Sequence, residues 1–521
     1  MTANTMQKLC KLETAILFVV SAVLVCLYTY WIHFRFALAH GDSAFLAQMV
    51  DRMAESGRPL SQVITAIDHL FAGFQPFIMT TPADELCALK LVGPGLGESN
   101  FFRWHTLFSL YLYLPVFMLL GGPLGLSLLT AVSYLTVIVG AYVLLRKSQV
   151  SILFSVLVAM LLVLHPVWSG GVLGDFYADR LFIGPAFVLC ALLLTRRFDS
   201  RWVIPLAILV TLTSERTGVI VGALLIGSVV LADYRSPKEW WKHRSLLVTG
   251  ILCAAFTVIV LTFFEHHSHY ESYKESMKLE NILNNLRNNP AFVAGLRTFI
   301  AINFIAWGLP ALWFWRGLLL SVGLMIPNII GDYGGAEKTG FLTHYHSLYF
   351  PVLAAAVCLS FVQLYKRYPR WASWAFVGWL GVAGLAYNLS SNQFDFDFTD
   401  VATRSLSYPF KGYKAEREVV AQRREMAAYM DQFPNTMVST GEIFMPLLSR
   451  HHNIAYYPLG LEDADYVVIP RSGEPGFYAG AFSYLSAEEL NKINRCLTRR
   501  LIDAGYRVQK EFPAGVVLSR K

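Results

Sequence analysis

The feature that most constrains this chain is a succession of stretches, each about twenty residues long, that hold almost no charge. A stretch of that length and composition is what an α-helix needs to cross the hydrocarbon core of a bilayer. Charged residues make up 15% of the 521 residues, whereas a soluble protein carries about a quarter. The sequence therefore predicts a polytopic α-helical membrane protein.

Basic residues cluster at alternate ends of the apolar stretches. The clusters are Lys8 with Lys11, Arg146-Lys147, Arg196-Arg197, Lys238 to Arg244, and Lys366-Arg367 with Arg370. This is the positive-inside pattern, and it predicts a cytoplasmic N-terminus. The formal net charge of +7 follows from it and does not indicate a nucleic-acid partner. Because no small-residue cleavage site follows the first apolar stretch, we expect an uncleaved first span in a prokaryotic plasma (inner) membrane.

Charge and hydropathy together predict about eleven crossings. The predicted spans are 13–36, 124–145, 150–168, 181–195, two short helices within 202–232 that meet at Ser214-Glu215-Arg216-Thr217, 245–264, 297–315, 317–331, 346–364 and 371–388. A large outer loop, 37–122, separates the first two. Within it, Ser43 to Glu55 predicts an amphipathic helix on the membrane surface, and 107–120 a re-entrant or surface helix interrupted by Pro115.

The composition changes at about residue 390, where charge rises and no spanning stretch remains. Short strands at 435–439, 464–469 and 515–519 alternate with amphipathic helices at 442–450 and 487–504, a pattern typical of a small α/β domain. We therefore predict a transmembrane domain at 1–389 and an extracytoplasmic (periplasmic or extracellular) domain at 390–521. Of the seven cysteines, Cys10 is assigned to the cytoplasmic side and only Cys87 and Cys496 to the outer side, where a disulfide between them is an option.

A group of ionisable residues is assigned to the outer membrane edge. Its members are Asp42, His105, Asp175, Asp179, Arg180, Glu215, Arg216, His344 and His346. Each alone is compatible with an ion pair, a helix cap or an ordinary loop position. Burying such groups is costly unless they are paired or functional, so their convergence on one face predicts a polar cavity that opens outward.

Asp42 follows the first span directly, and two readings of it stay open. Asp-Ser before an apolar stretch is an N-cap signature, and a carboxylate at a membrane edge is a candidate functional group. A side chain that begins a surface helix can serve both purposes.

A divalent metal ion is the one candidate cofactor. Asp42, Asp175 and Asp179 offer oxygen ligands for it. His266, His267, His269, His344 and His346 offer nitrogens for zinc, but their spacing is not that of a closed structural zinc site. Dinucleotide-binding, Walker and Gly-x-Ser-x-Gly motifs are absent in usable context, which argues against a nucleotide-driven pump or a serine hydrolase.

Several short motifs carry a resemblance. They are Gly41-Asp42-Ser43-Ala44-Phe45 with Gln48, Trp104-His105, Asp175-Phe176-Tyr177 with Arg180, Thr213-Ser214-Glu215-Arg216, and His344-Tyr345-His346. Together with the topology, they resemble the GT-C superfamily of polyprenyl-phosphate-sugar-dependent glycosyltransferases. More closely, they resemble an uncharacterised prokaryotic family of predicted membrane proteins placed near it, over about 14–470. Trp104, Tyr177 and Arg216 stand where that family usually has Asp, His and an acidic residue. A metal site implied by the resemblance would therefore have fewer ligands in this chain.

The resemblance implies a membrane glycosyltransferase that takes a sugar from a polyprenyl phosphate carrier and passes it to a glycan, lipid or protein acceptor on the outer side. Asp42 and Glu215 are then the expected catalytic pair, with Asp42 as general base. His105, Asp175, Arg180, Arg216, His344 and His346 are expected to bind substrate, the cationic groups at its phosphate. Two alternatives stay open: a transporter or flippase of a lipid-linked or anionic substrate, and a non-catalytic membrane assembly protein.

Overall fold

A computed structural model of the chain describes residues 3–38, 41–69, 97–168, 177–264, 278–330, 344–390, 412–441, 443–451, 453–457, 461, 463–470 and 487–520. The first part contains the first long helix and the predicted outer loop. Its elements in chain order are α1 (Ala3–Phe36), α2 (Gly41–Ser56), β1 (Leu60–Ser61), α3 (Gln62–His69), β2 (Ser99–Asn100), α4 (Ser109–Leu112) and α5 (Leu114–Leu120). The two helices in the 107–120 stretch are too short to span a bilayer, as the sequence predicted.

A bundle of apolar helices follows. It consists of α6 (Gly122–Lys147), α7 (Ile152–Leu161), α8 (Ile183–Leu194), α9 (Val203–Thr211), α10 (Thr217–Ala232), α11 (Pro237–Trp240), α12 (Arg244–Phe263), α13 (Leu279–Asn288), α14 (Pro290–Ile300), α15 (Gly308–Ala311), α16 (Trp315–Ile330), α17 (Phe350–Arg367) and α18 (Arg370–Ser390). Helix α17 is buried along most of its length and forms the centre of the bundle.

Five helical stretches of the described residues are long and apolar enough to cross a membrane. They are Leu12–Phe36, Gly122–Lys147, Pro237–Phe263, Phe292–Ile326 and His346–Arg367. The predicted break within 202–232 is confirmed, since α9 and α10 are separate helices. The two spans predicted at 297–331 differ from the structure, which has a broken succession of α14, a π-helical turn (Ala301–Ala306), α15 and α16. The chain is a multi-pass helical membrane protein, and the number of eleven crossings stays a prediction.

The C-terminal part is built around a five-stranded sheet. Its elements are α19 (Gly412–Met430), β3 (Met437–Thr440), β4 (Asn453–Tyr456), β5 (Tyr466–Pro470), α20 (Ala487–Asp503), β6 (Arg507–Phe512) and β7 (Gly515–Ser519). The strand order is β4-β3-β5-β7-β6. Strands β4, β3 and β5 run parallel, and β7 and β6 add antiparallel pairs. In place of a helix at 442–450, the described residues form a 3-10 turn at Met445–Leu448.

The described residues form two apolar cores. The first lies within the helix bundle. The second unites α2, α3 and the segment after β2 with the C-terminal sheet, so that Met49 and Phe101 share one cluster with Val467 and Val517. The outer loop therefore packs with the C-terminal region, although in sequence it lies inside the predicted domain 1–389.

Helix α2 is correctly predicted as a helix, but its surroundings differ from the prediction. Phe45, Met49 and Met53 form the expected apolar stripe and are buried. The other residues from Ser43 to Val50 are buried as well, because α5, α6 and the Met445–Leu448 turn enclose the helix. It is an internal helix and does not lie on the membrane surface.

Cys496 forms a disulfide bond, whereas Cys26, Cys190, Cys253 and Cys358 are free. Cys87, the partner that the sequence offered, lies outside the described residues. A disulfide at Cys496 is typical of a region that faces an oxidising compartment.

Helices α10 and α12 approach closely through a small-residue contact. A Cβ atom at Gly222 would lie 2.6 Å from the carbonyl oxygen of Gly250 and 3.1 Å from Cβ of Ala254. Gly218, four residues earlier, would collide with the Cys253 carbonyl, so the pair forms a membrane GxxxG contact. We expect Gly222→Ala to lower stability by about 1–3 kcal/mol, since backbone must move to admit the methyl group.

The matched control for that substitution is Gly378→Ala in α18, where a Cβ would meet no atom within 4 Å. Alanine has the better helix propensity, so this variant should be as stable as the parent protein or slightly more so. Thermal unfolding in one detergent compares the two variants. Equal unfolding midpoints would contradict the close α10–α12 contact.

Candidate functional site

The turn between α9 and α10 positions the best-defined polar cluster. The hydroxyl of Thr217 lies 2.7 Å from the Ser214 carbonyl oxygen and 2.9 Å from that of Thr211, and it accepts the Ser214 N–H at 3.1 Å. A threonine hydroxyl at a helix start fixes the turn in this way. The turn buries Glu215 completely, with 0% of its side chain exposed.

Glu215 is anchored from a distant segment. His105 Nδ1 lies 3.0 Å from Glu215 Oε1, and the backbone N–H of Thr106 donates to Oε2 at 3.0 Å. The backbone N–H of Ser109 donates to the carbonyl of Leu212 at 2.8 Å and holds the two segments together. His105 and Thr106, more than a hundred positions before Glu215 in sequence, thus both bond its carboxylate.

Both oxygens of Glu215 therefore accept hydrogen bonds. Arg216 Nε adds a further one, to Oε1 at 3.4 Å. Burial alone would raise the pKa of Glu215, but His105 and Arg216 outweigh it and hold that pKa well below its usual value. An ionised carboxylate can only accept, so Nδ1 of His105 carries a proton and donates to Glu215. Nε2 is therefore the imidazole nitrogen that is left for a ligand.

Asp179 completes the cluster from a third segment, the 3-10 turn Ala178–Phe182 before α8. Its Oδ2 lies 3.9 Å from Arg216 Nη2. Burial raises the pKa of Asp179, and the neighbouring Arg216 guanidinium offsets only part of that effect. The cluster thus joins two carboxylates, one guanidinium and one imidazole through three successive contacts, from His105 to Glu215, from Glu215 to Arg216 and from Arg216 to Asp179.

Exposure divides these four side chains into two pairs. His105 is 32% exposed and Arg216 22% exposed, whereas Asp179 is 6% exposed and Glu215 0%. A ligand can reach the first pair without a change in structure. The second pair lies behind it and contacts it, Glu215 through His105 and Arg216, and Asp179 through Arg216.

Arg180 and His346 lie close by but are enclosed by protein. Arg180 follows Asp179 in the same turn, is buried, and places its guanidinium carbon 5.4 Å from the Tyr177 ring centroid. His346 is buried in the turn His344–Leu348, which packs against the Asp179 turn. Its Nδ1 lies 3.1 Å from the Tyr349 hydroxyl. Neither side chain is open to a ligand in this conformation.

Three predicted site residues cannot be placed. Asp175 lies outside the described residues, and the side chains of Asp42 and His344 lie outside the described side chains. Of the three candidate metal ligands, Asp42 and Asp175 are among these residues, and Asp179 alone can be placed. Within the described ranges, no group of three or more His, Cys, Asp or Glu could hold a metal ion, and Asp179 faces a guanidinium.

Sequence reasoning missed the residues that build the site from behind. Thr106 contributes only its backbone N–H, which no side-chain pattern records. Thr217 had a recognisable signal, because Ser or Thr hydroxyls that bond backbone groups three residues away are typical of helix starts.

Asp179 supplies a pH-dependent prediction. Because its folded-state pKa is raised, the folded protein binds the proton more tightly than the unfolded chain, and stability falls as pH rises through the window above 3.8. Asp179→Asn removes the ionisable group and with it this pH-dependent loss of stability. We expect the variant to gain stability relative to the parent as pH rises from about 4 to 7.

Thermal unfolding of both proteins at several pH values measures this difference. Asp233→Asn is the matched control, since Asp233 is half-buried and pairs with Arg196 at 3.5 Å. A gain that is independent of pH would contradict the burial of an ionisable Asp179.

A family model described as a predicted membrane protein (DUF2079) matches residues 87–518. No curated protein matches the chain. Among solved structures, the chain is similar to the crystal structure of ArnT from Cupriavidus metallidurans in the apo state, with 13% identity, 98% of each chain covered and a TM-score of 0.44. A likeness at that score establishes neither the fold nor the activity of this chain.

Proposed function

We propose that this chain, which belongs to DUF2079, a family of predicted membrane proteins, is a multi-pass membrane glycosyltransferase that moves a sugar from a polyprenyl phosphate carrier to an acceptor hydroxyl. The observation that carries the proposal is the convergence of His105, Asp179, Glu215 and Arg216 from three separate segments. The resemblance of the sequence motifs to the GT-C superfamily supplies the reaction class.

The proposed step is a substitution at the anomeric carbon of the sugar. The acceptor oxygen attacks that carbon, and the bond from the carbon to the carrier phosphate oxygen breaks. The hydroxyl proton passes to a base, and the phosphate leaves with the electron pair. Positioned cationic and N–H groups favour this step by stabilising the charge that develops on the phosphate.

Arg216 and His105 are the proposed phosphate contacts, because they are the exposed members of the cluster. A guanidinium matches the geometry of a phosphate. The doubly protonated form of His105 would donate from Nε2 to a phosphate oxygen while Nδ1 donates to Glu215. Glu215 and Asp179 are proposed as positioning residues. This revises the expectation that Glu215 is itself catalytic, since both of its oxygens already accept hydrogen bonds.

The roles of the other candidate residues are proposed from the sequence motifs that they belong to. Asp42 is the proposed base, and Asp175 and His344 are proposed substrate contacts. Arg180 and His346 are proposed to act through neighbours, since both are buried. The proposal predicts that Asp42→Asn, folded as the parent protein, loses transfer, and equal transfer would exclude this base.

An outer-face reaction is part of the proposal. The distribution of basic residues supports a position of the cluster on the side opposite the cytoplasm, and the disulfide at Cys496 suits the same side for the C-terminal region. A polyprenyl phosphate donor needs no nucleotide there. The C-terminal sheet is a candidate surface for a glycan, lipid or protein acceptor.

The test uses the purified full chain in liposomes that contain a polyprenyl-phosphate-linked, radiolabelled sugar, with extracted envelope glycans and lipids as acceptors. The proposal expects label in the acceptor and free polyprenyl phosphate in equal amount. Movement of intact labelled lipid between leaflets without cleavage would identify a flippase instead. No change in either readout would favour a non-catalytic assembly protein.

A further inference from the structure

A lateral cavity lies between helices α1, α6 and α8, away from the polar cluster. Its volume is about 490 Å³, within the range of about 300–1,000 Å³ that is typical of small-molecule sites. Val25 of α1, Val139 and Val143 of α6, and Val188 of α8 line its walls. Val139, Val143 and Val188 are half-buried, so the cavity opens towards the surroundings of the bundle.

The cavity changes character along its length. Its apolar walls give way at one end to Lys147, the last residue of α6, and to Ser148, Thr195 and Arg197, which follow α6 and α8. Both helices reach their basic ends there, which the positive-inside rule assigns to the cytoplasmic face. An apolar slot that ends in cationic side chains at a membrane face has the polarity of an anionic lipid.

In each of the two basic pairs at this end, one residue forms an ion pair within the protein and the other lines the cavity. Arg146 makes a bidentate pair with Glu13, at 2.7 and 3.1 Å, and Arg196 pairs with Asp233 at 3.5 Å. Lys147 and Arg197, the second member of each pair, line the cavity mouth and are exposed. Within the described part of the chain, no carboxylate lies within 4.0 Å of either side chain.

We propose that this cavity binds one anionic phospholipid of the cytoplasmic leaflet. One acyl chain lies in the slot between α1, α6 and α8, and the headgroup phosphate contacts Lys147 and Arg197. The bound lipid bridges α1 to the bundle at a place where the helices leave a gap. This site is independent of the proposed transferase activity.

The experiment measures lipid binding to the purified full chain by native mass spectrometry, with phosphatidylglycerol and phosphatidylcholine of identical acyl chains. We expect the parent protein to retain one phosphatidylglycerol in preference to phosphatidylcholine. Lys147→Gln with Arg197→Gln should weaken that binding about 30-fold, since each basic side chain near an anionic headgroup contributes about a factor of five. Ala191→Phe, which fills the cavity without a change in charge, should weaken binding of both lipids.

The matched control is Lys366→Gln with Arg367→Gln, which removes the same charge at the end of α17, where both side chains are exposed. Its affinity for phosphatidylglycerol should stay within twofold of the parent. Equal binding by the cavity-mouth variant and the parent would overturn the proposal. So would full competition by inorganic phosphate alone, or a cavity that is covered by a second copy of the chain.

Discussion

Glu215→Gln is expected to lower the rate of sugar transfer by about 100-fold or more, the usual effect of losing one positioned donor to a developing anion. Both oxygens of Glu215 face N–H donors, from His105 on one side and Thr106 on the other. A glutamine must point its NH2 group at one of them. The imidazole then loses the acceptor that fixes its proton at Nδ1, or the backbone N–H of Thr106 is left unpaired, which costs about 1–3 kcal/mol.

Two further variants separate positioning from folding. Glu215→Asp keeps two acceptor oxygens and should recover part of the activity, whereas Glu425→Gln, on an exposed position of α19, should behave as the parent protein. Transfer rates per folded molecule, unfolding midpoints and the pH profile of kcat/KM are the readouts. A Glu215→Gln protein that is less stable but keeps the parent's kcat/KM and pH profile would contradict the positioning role.

Gln48→Ala is expected to destabilise the outer part of the protein by about 3 kcal/mol or more. The carboxamide oxygen of Gln48 accepts from the Ser61 hydroxyl at 3.0 Å and from the N–H groups of Gln62 and Val63 at 2.8 and 3.1 Å. Its NH2 group donates to the His451 carbonyl at 3.3 Å. One buried side chain thus caps α3 and ties the outer loop to the C-terminal region.

Limited proteolysis and thermal unfolding measure this effect. Gln48→Glu keeps the acceptor for Ser61, Gln62 and Val63 but turns a carboxylate oxygen towards the His451 carbonyl in a buried site, so this variant should lose stability as pH rises and the carboxyl ionises. The matched control is Gln432→Ala, at an exposed position of the C-terminal region, which should shift stability by less than about 0.5 kcal/mol. Proteolysis of Gln48→Ala at the parent's rate would show that Gln48 does not join the two regions.

Much of the fold could be predicted because the physics of spanning helices is local. The break at Ser214-Glu215 was visible as charge inside an apolar stretch, and the strands β3, β5 and β7 as short buried stretches. Strands β4 and β6 were missed. Strand β6 is an edge strand with an exposed, charged sequence, a composition that protects sheet edges and hides them from hydropathy patterns.

The enclosure of α2 could not be predicted, because burial by a distant sheet leaves no mark on local periodicity. The resemblance named Gln48 among its motif residues, yet only the structure reveals that it bonds residues from two distant segments.

The sequence predicted which side chains would meet, whereas their side of the membrane and their role in transfer stay predictions. His105, Asp179, Glu215 and Arg216 do meet, as expected from their common membrane edge. Which of them face a ligand depends on tertiary packing, so sequence could not separate the exposed His105 from the buried Glu215. Arg180 and His346 looked equivalent to the others in sequence but are enclosed by protein.

The most direct test of the central claim is the rate at which polyprenyl phosphate is released from a labelled lipid-linked sugar by His105→Gln. His243→Gln is the control, since His243 precedes α12 at the opposite end of the bundle and packs on Phe198. We predict release by the parent and the control at similar rates, and a rate lower by about 100-fold for His105→Gln. Equal release by all three proteins would contradict a role of the His105–Glu215 cluster in sugar transfer.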